Sequence, residues 1–100
     1  METQILSGEL VETYGIEDVG DGIQLQWFDV VTIMKNDDDR QTKFSCLVEG
    51  HNARHLSELK KGTMVELEGN FVLTNEGRGE SSLWFDVKSV HYEKTIRARL

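Results

Sequence analysis

FSCLVEGHNARHLSELKKGTMVELEGNF, residues 44–71, switches twice between two hydrophobic periods. Phe44, Cys46 and Val48 alternate with polar neighbours, the period of a half-buried strand. Ala53, Leu56 and Leu59 then recur three apart, the spacing of one helix face. Val65, Leu67 and Phe71 return to alternation, with Gly69 where the next inward apolar residue belongs. The stretch therefore reads strand, short helix, strand. Gly50 closes the first strand, Asn52 is the expected N-cap of a helix over 52–61, and Gly62 stands at its expected C′ position. A glycine on the inner face at 69 is what a strand needs to coil around a barrel corner.

Upstream, residues 36–40 read as a hairpin loop, and Asp37-Asp38-Asp39 as its solvated acidic tip. Ile23, Leu25 and Trp27 share one parity, whereas Phe28, Val30, Thr32 and Met34 share the other. This change of apolar face predicts a bulge or strong coiling at Trp27-Phe28, with one of the two aromatics in the core. Gly15 to Gly22 is turn-rich, and Ile5 to Tyr14 is strand-like with Gly8 as a bend point. Downstream, the strand from Met64 runs to Thr74, with Leu73 on its inner side, and Asn75 to Ser82 forms a loop around Gly77 and Gly79. Leu83, Phe85 and Val87 set the inner parity of a last strand ending at Tyr92. Trp84 and Tyr92 share the opposite, outward parity.

The order is strand, strand, strand, helix, strand, strand. One hundred residues make one domain, and 38% hydrophobic residues suffice for one core. We expect an all-β, five-stranded oligonucleotide/oligosaccharide-binding (OB) barrel with one short helix between strands 3 and 4. It spans residues 1–93, and the basic segment 94–100 is a short tail or strand extension. No apolar run approaches the roughly 18 residues that cross a bilayer, and no signal-peptide pattern opens the chain. The single cysteine, Cys46, forms no internal disulfide, so a cytoplasmic setting is expected. The net charge of -7 runs against phosphate binding, which then depends on a local basic stripe.

Residues 44–50 and 59–71 resemble bacterial single-stranded DNA-binding (SSB) proteins. That family shows a strand ending in glycine, a short helix, a leucine–basic–glycine turn and a strand carrying glutamate-glycine. Ile5 to Leu10, with Gly8, is similar to the family's first strand, and Leu83 to Val87 also resembles small uncharacterised SSB-like OB families. The resemblance spans 4–92 in layout and implies the OB fold and single-stranded nucleic acid as ligand class. It does not extend to the family's base-stacking aromatics, whose places are taken here by Lys43 and Glu49, nor to its acidic C-terminal tail, since this sequence reads KTIRARL over 94–100.

Six residues are candidates for a nucleic-acid site. Trp84 points outward and either stacks a base, covers the barrel end or makes a dimer contact. Lys43, Arg78, Lys35, Arg40 and Lys88 are the candidate phosphate contacts, although the acidic loops leave open that these cations only balance them. Lys60 and Lys61 suit the helix C-terminus. His51 and His55, spaced i and i+4, lack a third ligand, so no metal and no cofactor are expected. Cys46 reads as a core hydrophobe, and no catalytic constellation stands out.

Two functions of different class follow. One is a non-enzymatic single-stranded nucleic-acid-binding protein, accessory to replication or recombination, whose binding is salt-sensitive. The other is an acidic OB module for protein interaction or assembly, including mimicry of nucleic acid, favoured by Glu66, Glu68 and Asp86. In either case, homo-oligomer formation through the first strand is expected, with Ile5 to Val11 as the edge.

Overall fold

The computed structural model describes residues 2–33, 41–76 and 80–92. Five strands, β1 (Gln4–Asp18), β2 (Gln24–Ile33), β3 (Gln41–Glu49), β4 (Met64–Glu76) and β5 (Glu80–Tyr92), close a barrel in the order β1-β2-β3-β5-β4. All pairings are antiparallel except β3 with β5. The helix α1 (His51–Ser57) lies between β3 and β4. This is the five-stranded barrel with one short helix that the hydrophobic periods predict.

The inner residues are those the alternation selects, except Leu73 and Leu83, which are exposed. Leu6 and Leu10 of β1, Phe28 and Val30 of β2, Cys46 and Val48 of β3, Val65 and Leu67 of β4, and Phe85 and Val87 of β5 are buried together. Ala53 and Leu56 of α1 close one end of this core. Phe71 bridges Phe44 and Phe85 at ring-centroid distances of 5.4 and 4.8 Å, separations at which tilted and edge-to-face packing is favourable.

The strands are longer and their irregularities lie elsewhere than the sequence suggests. β1 continues through Gly15 to Asp18, so the first turn shrinks to Val19–Ile23, closed by Val19 N–H to the Ile23 carbonyl at 3.0 Å. The bulges of this hairpin are in β1, between Leu10 and Glu12 and between Thr13 and Ile16. β2 pairs with β3 without interruption, and no face change occurs at Trp27. The inward position that breaks the apolar pattern is filled by Gln26, buried, whose amide donates to the Ala53 carbonyl at 2.8 Å and to Ser57 Oγ at 2.9 Å. A polar residue thus ties barrel to helix where the sequence pattern seemed to reverse.

β5 carries a further irregularity. Glu68 pairs with Ser89 but Gly69 with Val87, which leaves Lys88 as the extra residue of a bulge. Parity reverses there, and Val90 and Tyr92 turn inward to pack on the core, contrary to the outward placing of Tyr92. Gly69 is required at this corner because a Cβ there would overlap the Asp86 carbonyl. A Cβ at Gly8 would also overlap a carbonyl, that of Val31, so Gly8 marks a tight β1–β2 approach.

The helix ends at Ser57 and not at 61, with Glu58 as C-cap. Gly62 has φ 95° but serves the separate turn before β4. Lys60 and Lys61 therefore lie past the helix, and Lys61 pairs with Glu12 at 3.1 Å. The N-cap is Gly50. Asn52 instead sends its side-chain N–H to the Lys88 carbonyl at 3.2 Å and docks the helix against the β5 bulge. Leu73 and Leu83 are 68% and 52% exposed, because β4 and β5 extend beyond the barrel as a ribbon with pairs as far as Glu76–Glu80. The acidic loop tip, the segment 77–79 and the tail 94–100 lie outside the described residues.

Candidate functional site

Residues of the opposite parity build the outer surface of β2, β3 and β5. Trp27 pairs with Leu47, Asp29 with Ser45 and Val31 with Lys43 across β2–β3. Ser45 in turn neighbours Trp84 across β3–β5, and Trp84 neighbours Val72 across β5–β4. Trp27 and Trp84 meet over β3 with ring centroids 5.5 Å apart at 66°, an edge-to-face pair. Both rings are only half-buried, as are Leu47 and Val72 beside them. The result is an aromatic platform on the outside of a closed barrel, where the core has no use for it.

A short hydrogen-bond chain borders the platform. Asp29 is 5% exposed. Tyr14 Oη donates to its Oδ2 at 2.5 Å, and Ser45 Oγ donates to Oδ1 at 3.4 Å. The Asp29 hydrogen bond holds the Tyr14 phenol above its ordinary range, with partial burial and the nearby carboxylates acting in the same direction. Tyr14 is itself largely exposed.

The candidate cations separate. Lys43 is exposed on this surface, two residues along β3 from Ser45. Lys88 sits on the β5 bulge near the helix, roughly 13 Å along the strand from Trp84, and its ammonium pairs with Asp86 at 3.1 Å. Lys35, Arg40 and Arg78 lie outside the described residues. Glu49 is exposed at the end of β3, opposite Leu25.

Two contributors to this surface, Trp27 and Tyr14, are absent from the sequence candidates. Parity counted from Phe28 and Val30 places Trp27 outward, but the apparent face reversal at Gln26 hides it. Tyr14 lies past one bulge and within a second, so its direction cannot be counted from Leu10.

Other candidate chemistries find no support among the described residues. No group of three His, Cys, Asp or Glu side chains is placed to hold a metal ion there, and His91 faces Glu68 at 3.4 Å. Cys46 is fully buried, and burial, with a smaller contribution from the Asp29 charge, pushes its thiol up to about 12. It stays protonated and unreactive at neutral pH. No helix of the described residues is long and apolar enough to cross a membrane.

No protein-family model matches the sequence, and no curated protein matches it. Solved structures do. PriB from Ralstonia solanacearum is similar with a TM-score of 0.70 at 20% identity, covering 93% of this chain and 99% of that one. The SSB domain of a Synechococcus sp. protein reaches 0.73 at 19% identity, covering 91% and 94%. A mitochondrial single-stranded DNA-binding protein of S. cerevisiae reaches 0.73 at 12% identity, covering 91% and 92%. At these identities the likeness establishes the fold, an SSB-like OB barrel, which is what the resemblance of residues 44–71 implies.

Proposed function

We propose that this SSB-like barrel binds single-stranded nucleic acid on the outer surface of β2, β3 and β5, without chemistry, as an accessory to replication or recombination. The observation that carries the reading is the outward Trp27–Trp84 pair. A soluble barrel gains nothing in its core from two half-exposed indoles. A base stacked on an aromatic ring, by contrast, contributes about 1–3 kcal/mol. OB barrels bind oligonucleotides over the faces of strands 2 and 3; Trp27 stands on β2, and Trp84, on β5, meets it over β3. Lys43 supplies phosphate contact at the margin, with Lys35, Arg40 and Arg78 as further proposed contacts. Lys88, neutralised by Asp86, is the weakest member of the set.

The chain holds two tryptophans, and both stand in the proposed site. Intrinsic fluorescence therefore reports on it directly. Adding a mixed-sequence single-stranded 20-mer quenches the emission saturably if bases stack there, and unchanged emission at low salt contradicts the reading.

A second reading rests on a different surface. Glu9, Glu66 and Glu68 line the outside of β1 and β4 beside Ile5 and Met64, which are 53% and 46% exposed. This acidic and apolar strip suits a basic protein partner. The first strand is also the proposed route to a homo-oligomer. β4 covers one edge of β1 along Gln4–Glu9, while pairing with β2 begins only at Glu9, which supports Ile5–Gly8 as the edge another copy meets. Light scattering during gel filtration tests it: a monomer at micromolar concentration excludes it.

A further inference from the structure

The hydrogen-bond chain beside the indole pair has a fixed polarity. The Tyr14 phenol donates its proton to Asp29 Oδ2, while Ser45 Oγ reaches Oδ1 only at a longer 3.4 Å. What Tyr14 Oη then offers to the outside is lone pairs. Tyr14 is 59% exposed and Asp29 only 5%, so a ligand meets the phenol oxygen, and the carboxylate behind it sets which way the phenol proton points. The upward shift of the Tyr14 phenol agrees with a proton held in that bond. Asp29 lies two residues from Trp27 on the same face of β2, roughly 7 Å. Ser45 is the β3 partner of Trp84. A base lying on the indoles therefore brings its edge to an acceptor, with negative charge behind it.

We propose that the Tyr14–Asp29 pair makes this site discriminate between bases, favouring those that present an exocyclic amino group over thymine and uracil. The proposal rests on the nucleic-acid reading above. Cytosine and thymine are rings of the same size, so both fit the same stack. They differ at position 4, where cytosine carries an amino donor and thymine a carbonyl acceptor. The cytosine amino group donates to a Tyr14 lone pair. The thymine carbonyl sets oxygen against oxygen, and rotating the phenol proton toward it strips Asp29 of its hydrogen bond. A surface that binds by stacking and charge alone has no such edge preference.

The test is an anisotropy titration with labelled oligo-dC and oligo-dT of equal length, at neutral pH and one fixed salt concentration. It is run on the full chain and on Tyr14→Phe and Asp29→Asn. The wild type binds oligo-dC about fivefold tighter, the scale of one hydrogen bond across an interface. Tyr14→Phe removes the acceptor from an exposed position and brings the ratio to about one. Asp29→Asn supplies a donor to Tyr14 Oη, frees the phenol proton for the thymine carbonyl, and lowers or reverses the ratio. Equal affinities in the wild type, a preference for oligo-dT, or a preference that survives Tyr14→Phe each overturn the proposal, and the wild-type ratio stands whatever the variants do. Binding of neither oligonucleotide at low salt overturns the nucleic-acid reading and this proposal with it.

Discussion

The Trp27 and Trp84 rings stand edge to face, 5.5 Å apart, on the outside of the barrel, and the Tyr14–Asp29 hydrogen bond lies beside them. Trp84 is read as outward from its neighbours Phe85 and Val87, and it is half-exposed beside Trp27. Gln26 is the residue that misleads. It is polar yet inward, because its amide satisfies the Ala53 carbonyl and Ser57 at the base of the helix, and periodicity sees only a gap in the apolar row. Gln26→Ala removes both bonds and leaves a void, and it lowers stability by about 2 kcal/mol in urea unfolding. The buried thiol makes a separate prediction. Cys46 titrates near 9 when unfolded and near 12 when folded. A folded value raised above the unfolded one means that its contribution is complete below pH 9 and is lost as pH rises from 9 to 12, by up to about 1.4 kcal/mol per pH unit. The Tyr14 phenol, also raised, acts in the same direction as pH rises above its ordinary value of 10. Urea midpoints hold steady through neutral pH and fall above 9, and Cys46→Ala flattens the first part of that fall.

Elements were legible where a local period persists and illegible where a neighbour imposes a bulge. β3 and the inner row of β4 as far as Phe71 follow from alternation alone, and α1 from the three-residue spacing of Ala53 and Leu56; Leu73, on the same parity, is exposed because β4 runs on beyond the barrel. The helix boundary was not legible, since Asn52 bonds to the β5 bulge, a contact 36 residues away. The turn of Tyr92 into the core depends on the same bulge, which only the pairing of β4 with β5 creates. Gly69 is the sequence mark of that corner. Gly69→Ala places a methyl group against the Asp86 carbonyl, so the two strands must separate. Thermal melting then shows a loss of about 2 kcal/mol or more, beyond the usual cost of a surface substitution.

At the scale of the molecule, the net charge of -7 and the aromatic platform pull in opposite directions. The acidic side chains of β1 and β4 face outward from one part of the barrel, while Lys43 and the two indoles stand on another. On the proposed reading, stacking carries most of the affinity, and salt modulates it through few phosphate contacts. The most direct measurement is fluorescence anisotropy of a labelled mixed-sequence single-stranded DNA, titrated with wild type and with Trp84→Ala at low and moderate salt. Binding by the wild type that weakens as salt rises, and that falls by about tenfold or more in Trp84→Ala, is the result this account predicts. Absence of binding at low salt, or binding that Trp84→Ala leaves unchanged, contradicts it.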